Sequence, residues 1–142
     1  MKPENKELLL KDLCARLPYG VICRFTDTFD GCEVDNVLHP DDITDMFRHR
    51  SHWDSRIDVK PYLRPISSMT EEEREFLKKM GLETVHKCIE EEDPRKILSL
   101  NFKQDAEELA YLYKHHYDVF GFIPMGAAIE VTEKNNPYKD KD

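Results

Sequence analysis

An α+β fold is predicted by three features of the sequence. The first is a pair of strand-like runs, Tyr19–Thr26 and Cys32–Leu38, joined through Asp27–Gly31, whose Asp-Gly pair is strong hairpin chemistry. The second is a helical stripe in which Ala106, Leu109, Ala110, Tyr113 and Tyr117 recur at helical spacing. The third is segregation: the strand-like runs precede Pro61 and Pro65, and the helical ones follow. The expected architecture is an N-terminal helix, a small antiparallel sheet or SH3-like half-barrel over residues 19–65, and a three-helix C-terminal half packed on it.

The first helix is expected over residues 5–17, where Leu8, Leu9, Asp12, Leu13 and Leu17 share a face. Pro18 ends it, because the residue before a proline is pushed out of the α region. After the hairpin, His39–Asp42 reads as a turn and Asp42–Phe47 as a short helical turn or a broken strand. Ser55–Val59 reads as a short strand running into Pro61, at an edge or end of the sheet because proline cannot donate to a ladder. Thr70 with Glu73 forms a capping box, and Ser68 with Glu71 offers a second register for it. Phe76, Leu77 and Met80 should face inward, with Gly81 as the left-handed stop. Leu82, Val85 and Ile89 mark a second helix. The stripe to Tyr117 marks the third, with Glu107, Glu108 and Lys114 off its buried face, so the helical part spans 70–120. The polar tail, 132–142, should fray.

At 142 residues the chain is expected to form one domain, and 39% apolar with 35% charged residues describe a well-hydrated soluble protein. No apolar run approaches the roughly 20 residues that span a bilayer, and Met1–Glu7 lacks a secretory pattern, so the cytoplasm is the expected compartment, with no membrane partner. Cys14, Cys23, Cys32 and Cys88 contain no Cys-x-x-Cys pair and are expected to be free, mostly buried thiols. The net charge of −8 is uneven: residues 1–65 carry 10 basic and 12 acidic side chains, residues 66–142 carry 11 and 17. An acidic helical half repels phosphate backbones, which argues against a nucleic-acid partner.

Three blocks carry a resemblance. They are Asp12–Val21, then Val59–Glu73, then His115–Asp118 followed by Gly121, Phe122, Ile123 and Gly126. Together they resemble a family of short uncharacterised proteins of gut bacteria, their prophages and other mobile elements. The resemblance implies no activity, cofactor or catalytic residue. Phe120 and Phe122 depart from it, standing where more polar residues are expected.

Candidate chemistry is sparse. His115 and His116, with Tyr113, Tyr117 and Asp118, crowd the end of the third helix, where a histidine beside an aspartate can act as a base. Adjacent helical residues point about 100° apart, so the pair does not chelate one metal. His49, His52 and Asp54 have helical ligand spacing, but Arg48 and Arg50 oppose a cation. Asp41, Asp42 and Asp45 lack the glycine and closing glutamate of a calcium loop. Five scattered glycines make no phosphate cradle. No catalytic residue, metal site or cofactor is therefore assigned. The binding candidates are Trp53 as an aromatic anchor, Tyr62, His115, His116, and Phe120 with Phe122 in an apolar loop. The function expected is that of a phage- or mobile-element-type cytoplasmic protein, non-enzymatic, that binds a host or phage protein. A small-molecule binder or enzyme using His115, His116 and Asp118 is the rival, and a homo-oligomer a third reading.

Overall fold

The computed structural model of the chain describes residues 3–46, 57–82 and 103–138. Within them the fold is α+β. Helix α1 (Pro3–Arg16) runs into a 3-10 turn at Leu17–Tyr19, and Gly20 reverses the chain in the left-handed region at φ 70°. Strands β1 (Ile22–Asp27) and β2 (Glu33–Val37) form the expected hairpin, followed by α2 (Pro40–Met46). Strand β3 (Ile57–Leu63), a 3-10 turn at Ile66–Ser68 and α3 (Glu71–Lys79) come next, then α4 (Lys103–Lys114) and β4 (Ile129–Glu130).

The open sheet has the order β2-β1-β3-β4. β1 pairs antiparallel with both β2 and β3, but β4 runs parallel to β3, so the sheet is mixed rather than wholly antiparallel. β3 is also longer than expected and interior, with Pro61 inside it opposite Cys23. The ring is tolerated there because the register with β4 starts only at Tyr62, leaving β1 as the one neighbour of Pro61.

Side chains opposite one another across a sheet share a face. Cys23, Val59, Pro61 and Leu63 form the core face, and all are buried. Leu9 and Leu13, one turn apart on α1, join Cys23, Val59 and Leu63 in a single cluster with Leu77, Leu112 and Phe122. Each fully buried aliphatic side chain contributes about 1.5–3 kcal/mol. Arg24, Thr26, Asp35 and Lys60 lie on the opposite face.

The α3 boundary is as the sequence predicts. Thr70 Oγ1 accepts from the Glu73 N–H at 3.1 Å while Glu73 Oε1 accepts from the Thr70 N–H at 3.1 Å. The Ser68 register is not used, since that hydroxyl donates to the Pro65 carbonyl at 2.7 Å. Gly81 stops the helix at φ 73°.

Four expectations are corrected. Of the apolar residues on α3 only Leu77 is buried; Phe76 and the C-cap Met80 are 49% and 56% exposed, because helical spacing turns both to the same side, away from the buried face of Leu77. On α4 the buried side holds Glu108, Leu112 and Tyr113, while Ala106 is exposed. Its charge marked Glu108 as outward, and Tyr117 lies beyond the helix end. Among the described residues Cys14 and Cys32 are exposed free thiols and Cys23 is buried. Residues 132–138 of the tail are held by contacts rather than frayed, as described below. The expected second helix, Cys88, Trp53 and the His49–Asp54 group lie outside the described residues. Among the described residues no helix is long and apolar enough to cross a membrane.

Candidate functional site

Beneath the join of α1, α4 and the segment after α4 lies an ionic centre. Asp12 and Arg16 are one helical turn apart on the apolar face of α1, and both are fully buried. Arg16 Nε donates to Asp12 Oδ2 at 2.6 Å and Nη2 to Oδ1 at 3.1 Å. Nη2 also donates to the Tyr117 carbonyl at 2.6 Å, across 101 residues of chain. The guanidinium stands 4.7 Å from the Tyr113 ring centroid, a cation–π contact strengthened by desolvation. Burial outweighs the neighbouring Arg16 cation at Asp12 and pushes its carboxyl above the ordinary range.

The segment leaving α4 is shaped by two residues. His116 takes a left-handed conformation, φ 65°, which ends the helix without a glycine. Its carbonyl accepts from the Arg64 N–H at 2.7 Å, and the Arg64 carbonyl accepts from the Asp118 N–H at 2.8 Å, so Tyr117 bridges to the extension of β3. Asp118 then caps the next turn from its first residue. Oδ1 accepts from the N–H groups of Gly121 and Phe122 at 3.0 and 2.9 Å, and Oδ2 from Ile123 at 2.9 Å.

The tail closes the assembly. Tyr138 stacks on His116 with ring centroids 3.7 Å apart and 6° between planes. Its hydroxyl accepts from the Ile22 N–H at 3.0 Å and donates to the Tyr62 carbonyl at 2.8 Å. The β1–β3 register stops one pair short of these residues, at Cys23 opposite Pro61. The hydroxyl therefore stands in for a missing rung of the ladder. Asn135 steadies the tail by donating from its side chain to the Glu130 carbonyl at 2.9 Å. Tyr138→Phe keeps the ring and deletes this rung. A loss of about 1–3 kcal/mol is expected in denaturant unfolding, with faster amide exchange at Ile22; unchanged exchange there refutes the rung.

Burial first, then the cations of Arg16, His115 and Arg64, hold His116 down at about 4. A histidine whose folded value is depressed is stabilising while neutral. Its contribution is complete above the ordinary 6.5 and is lost as pH falls from 6.5 towards 4. Asparagine tolerates the left-handed backbone and does not titrate. The stability advantage of the native protein over His116→Asn should shrink by about 1–3 kcal/mol between pH 7 and pH 4. Unfolding titrations of both proteins across that window provide the check.

Two further clusters flank the centre. Arg64 donates from Nη2 and Nη1 to Glu73 at 2.9 and 3.3 Å and stands 4.3 Å from the Tyr117 ring centroid. Burial alone would raise Glu73, but Arg64 and the Thr70 N–H outweigh it and hold the carboxyl at about 2. The Tyr117 hydroxyl lies beside Glu73 without meeting hydrogen-bond geometry, and burial pushes it well above the ordinary tyrosine value. On the outer sheet face Arg24 donates to both Asp35 oxygens, at 3.0 and 3.3 Å, and to the Tyr62 hydroxyl at 2.6 Å. That hydroxyl donates to Asp35 Oδ2 at 2.8 Å.

The sequence candidates are thus dispersed. Tyr62 is buried and bonded to Asp35 and Arg24, and it shares only the Tyr138 link with His116. His115 turns to the other side of the chain, its ring 4.3 Å from that of Tyr111, which itself stacks on Phe76 at 5.4 Å. Phe120 and Phe122 are in the core and offer a partner no surface. Among the described residues no group of three or more His, Cys, Asp or Glu could hold a metal ion. Sequence reasoning missed Arg16, Arg64 and Tyr138. Arg16 had a signal, an opposite charge four residues after Asp12 on an apolar face; Tyr138 had none, because its partners are remote.

Fold and centre define a small α+β protein with a hydrophobic core into which Asp12, Arg16, Glu108 and Asp118 are buried. Comparison of the chain with protein-family models, with curated proteins and with solved structures found no match in any of the three.

Proposed function

We propose that this is a cytoplasmic protein of the phage or mobile-element type that acts without chemistry of its own, by binding a protein of the host or phage. The resemblance of its three sequence blocks supports the source. The way its side chains are employed supports the mode of action. Asp118 accepts three backbone N–H groups, His116 lies under Tyr138, and Tyr62 is held by Arg24 and Asp35. The tips that the enzyme reading requires are engaged in these contacts and do not converge on a common space.

The observation that carries the reading is the exposure of two apolar side chains on the β1–β2 hairpin. Phe29 near its tip is 78% exposed and Val34 on its outer strand 52%. Exposed apolar residues rimmed by charge mark interaction sites more often than scattered single ones do. The test is affinity capture from host lysate with native protein and with Val34→Lys. A protein retained by the native form and lost with the variant is the expected result. Equal recovery on both, or on an unrelated acidic protein, would sink the reading.

A further inference from the structure

The outer edge of β2 has a definite chemistry. Two bonds bracket the hairpin: the Asp27 N–H donates to the Cys32 carbonyl and the Leu38 N–H to the Val21 carbonyl, each at 2.9 Å. In an antiparallel ladder the bonded residues alternate. With Phe25 opposite Val34 and Cys23 opposite Asn36, those two residues of β2 turn their backbone groups to β1. Glu33, Asp35 and Val37 turn theirs away from it. Among the described residues no strand lies beyond β2, and its first four residues are exposed.

Such an edge is a template for another strand, and proteins usually blunt it with lysine, proline or a bulge. β2 reads Glu-Val-Asp-Asn-Val and has none of these; its register with β1 runs through five successive pairs. What it carries instead is negative charge. Glu33 and Asp35 lie on one face, and among the described residues the cation paired with them is Arg24, whose Nε is 3.7 Å from Glu33 and 3.0 Å from Asp35. Val34 supplies an apolar contact on the other face. Like charges opposed across a sheet are destabilising, so this edge repels a second copy of itself. A strand with basic residues opposite Glu33 and Asp35 meets complementary charge.

We propose that the outer edge of β2 receives, by strand addition, an extended protein segment whose side chains alternate basic and apolar. The proposal rests on the binding reading above and specifies the partner's chemistry. Main-chain bonds to Glu33, Asp35 and Val37 supply affinity, and the alternate side chains supply selection.

The experiment titrates full-length 15N-labelled protein with the peptide Ac-Lys-Val-Lys-Val-Lys-Val-NH2 and, separately, with its glutamate counterpart. The basic peptide should slow amide exchange at Glu33, Asp35 and Val37 by about tenfold or more, and the acidic one should not. Glu33→Pro removes an outward N–H while sparing the β1 ladder, and should weaken binding about tenfold. Glu33→Lys, which leaves the backbone intact, should weaken it as well. No slowing at those amides at millimolar peptide, or an affinity in both variants equal to that of the native protein, overturns the proposal. A captured partner that is lost with Val34→Lys yet leaves the β2 amides unprotected also overturns it while the binding reading survives. Absence of both peptide binding and capture removes the two together.

Discussion

Arg16→Met lowers the unfolding free energy by about 3–5 kcal/mol, the largest loss expected from a single substitution. The methionine fills much of the same space, so the cost is electrostatic. Asp12 is left fully buried without its cation, and the Tyr117 carbonyl loses its donor. Two companion results separate this cause from packing. The carboxyl of Asp12, already raised by burial, rises further without Arg16. A raised carboxyl binds its proton more tightly in the folded state, so the variant regains stability relative to the native protein as pH falls towards the ordinary carboxylate range. Asp12→Leu combined with Arg16→Met should recover most of the loss, since replacing both members of a buried pair leaves no orphaned charge. Denaturant unfolding of the native, single and double variants at pH 7 and pH 5 measures all of this. A double variant as unstable as Arg16→Met refutes the account.

Asp118→Ala should cost about 2–4 kcal/mol. It strips the acceptor from three N–H groups at once, and the buried one, Phe122, has no water to turn to. Asp118→Asn keeps an acceptor oxygen at the same place and should lose about half as much. Amide exchange at Gly121, Phe122 and Ile123 should accelerate in the alanine variant before the rest of the protein responds. Uniform acceleration across α1 and the sheet instead would mean that Asp118 acts through the ionic centre and not as a cap.

What the sequence made legible was local. The hairpin follows from its turn: Asp27 Oδ1 accepts from the Phe29 N–H at 2.9 Å, and Gly31 takes φ 76°. Thr70 and Glu73 reach each other across one helical turn, so their box is written in four adjacent positions. Periodicity failed where charge and burial part company. Glu108 and Asp12 are buried acids, and a rule that sends charges outward misplaces the first and overlooks what the second needs. Distance in sequence hid the rest. The Arg16 bond to Tyr117 and the Tyr138 bonds to Ile22 and Tyr62 join residues 101, 116 and 76 positions apart, and no local pattern encodes them. Of the candidate site, His115 and His116 were noticed as a pair although their rings serve opposite sides of the chain.

The Tyr138 rung also bears on the order in which the molecule is made. Ile22 and Tyr62 leave the ribosome long before the residue that joins them. Until it arrives, the β1–β3 ladder ends at Cys23 opposite Pro61, and the Ile22 N–H and Tyr62 carbonyl lack the hydroxyl that links them. Contacts that close such long loops form late, after their entropy cost has been met by nearer ones. The Tyr138 link is therefore among the last contacts of the sheet to form, and a chain cut ahead of residue 138 lacks it.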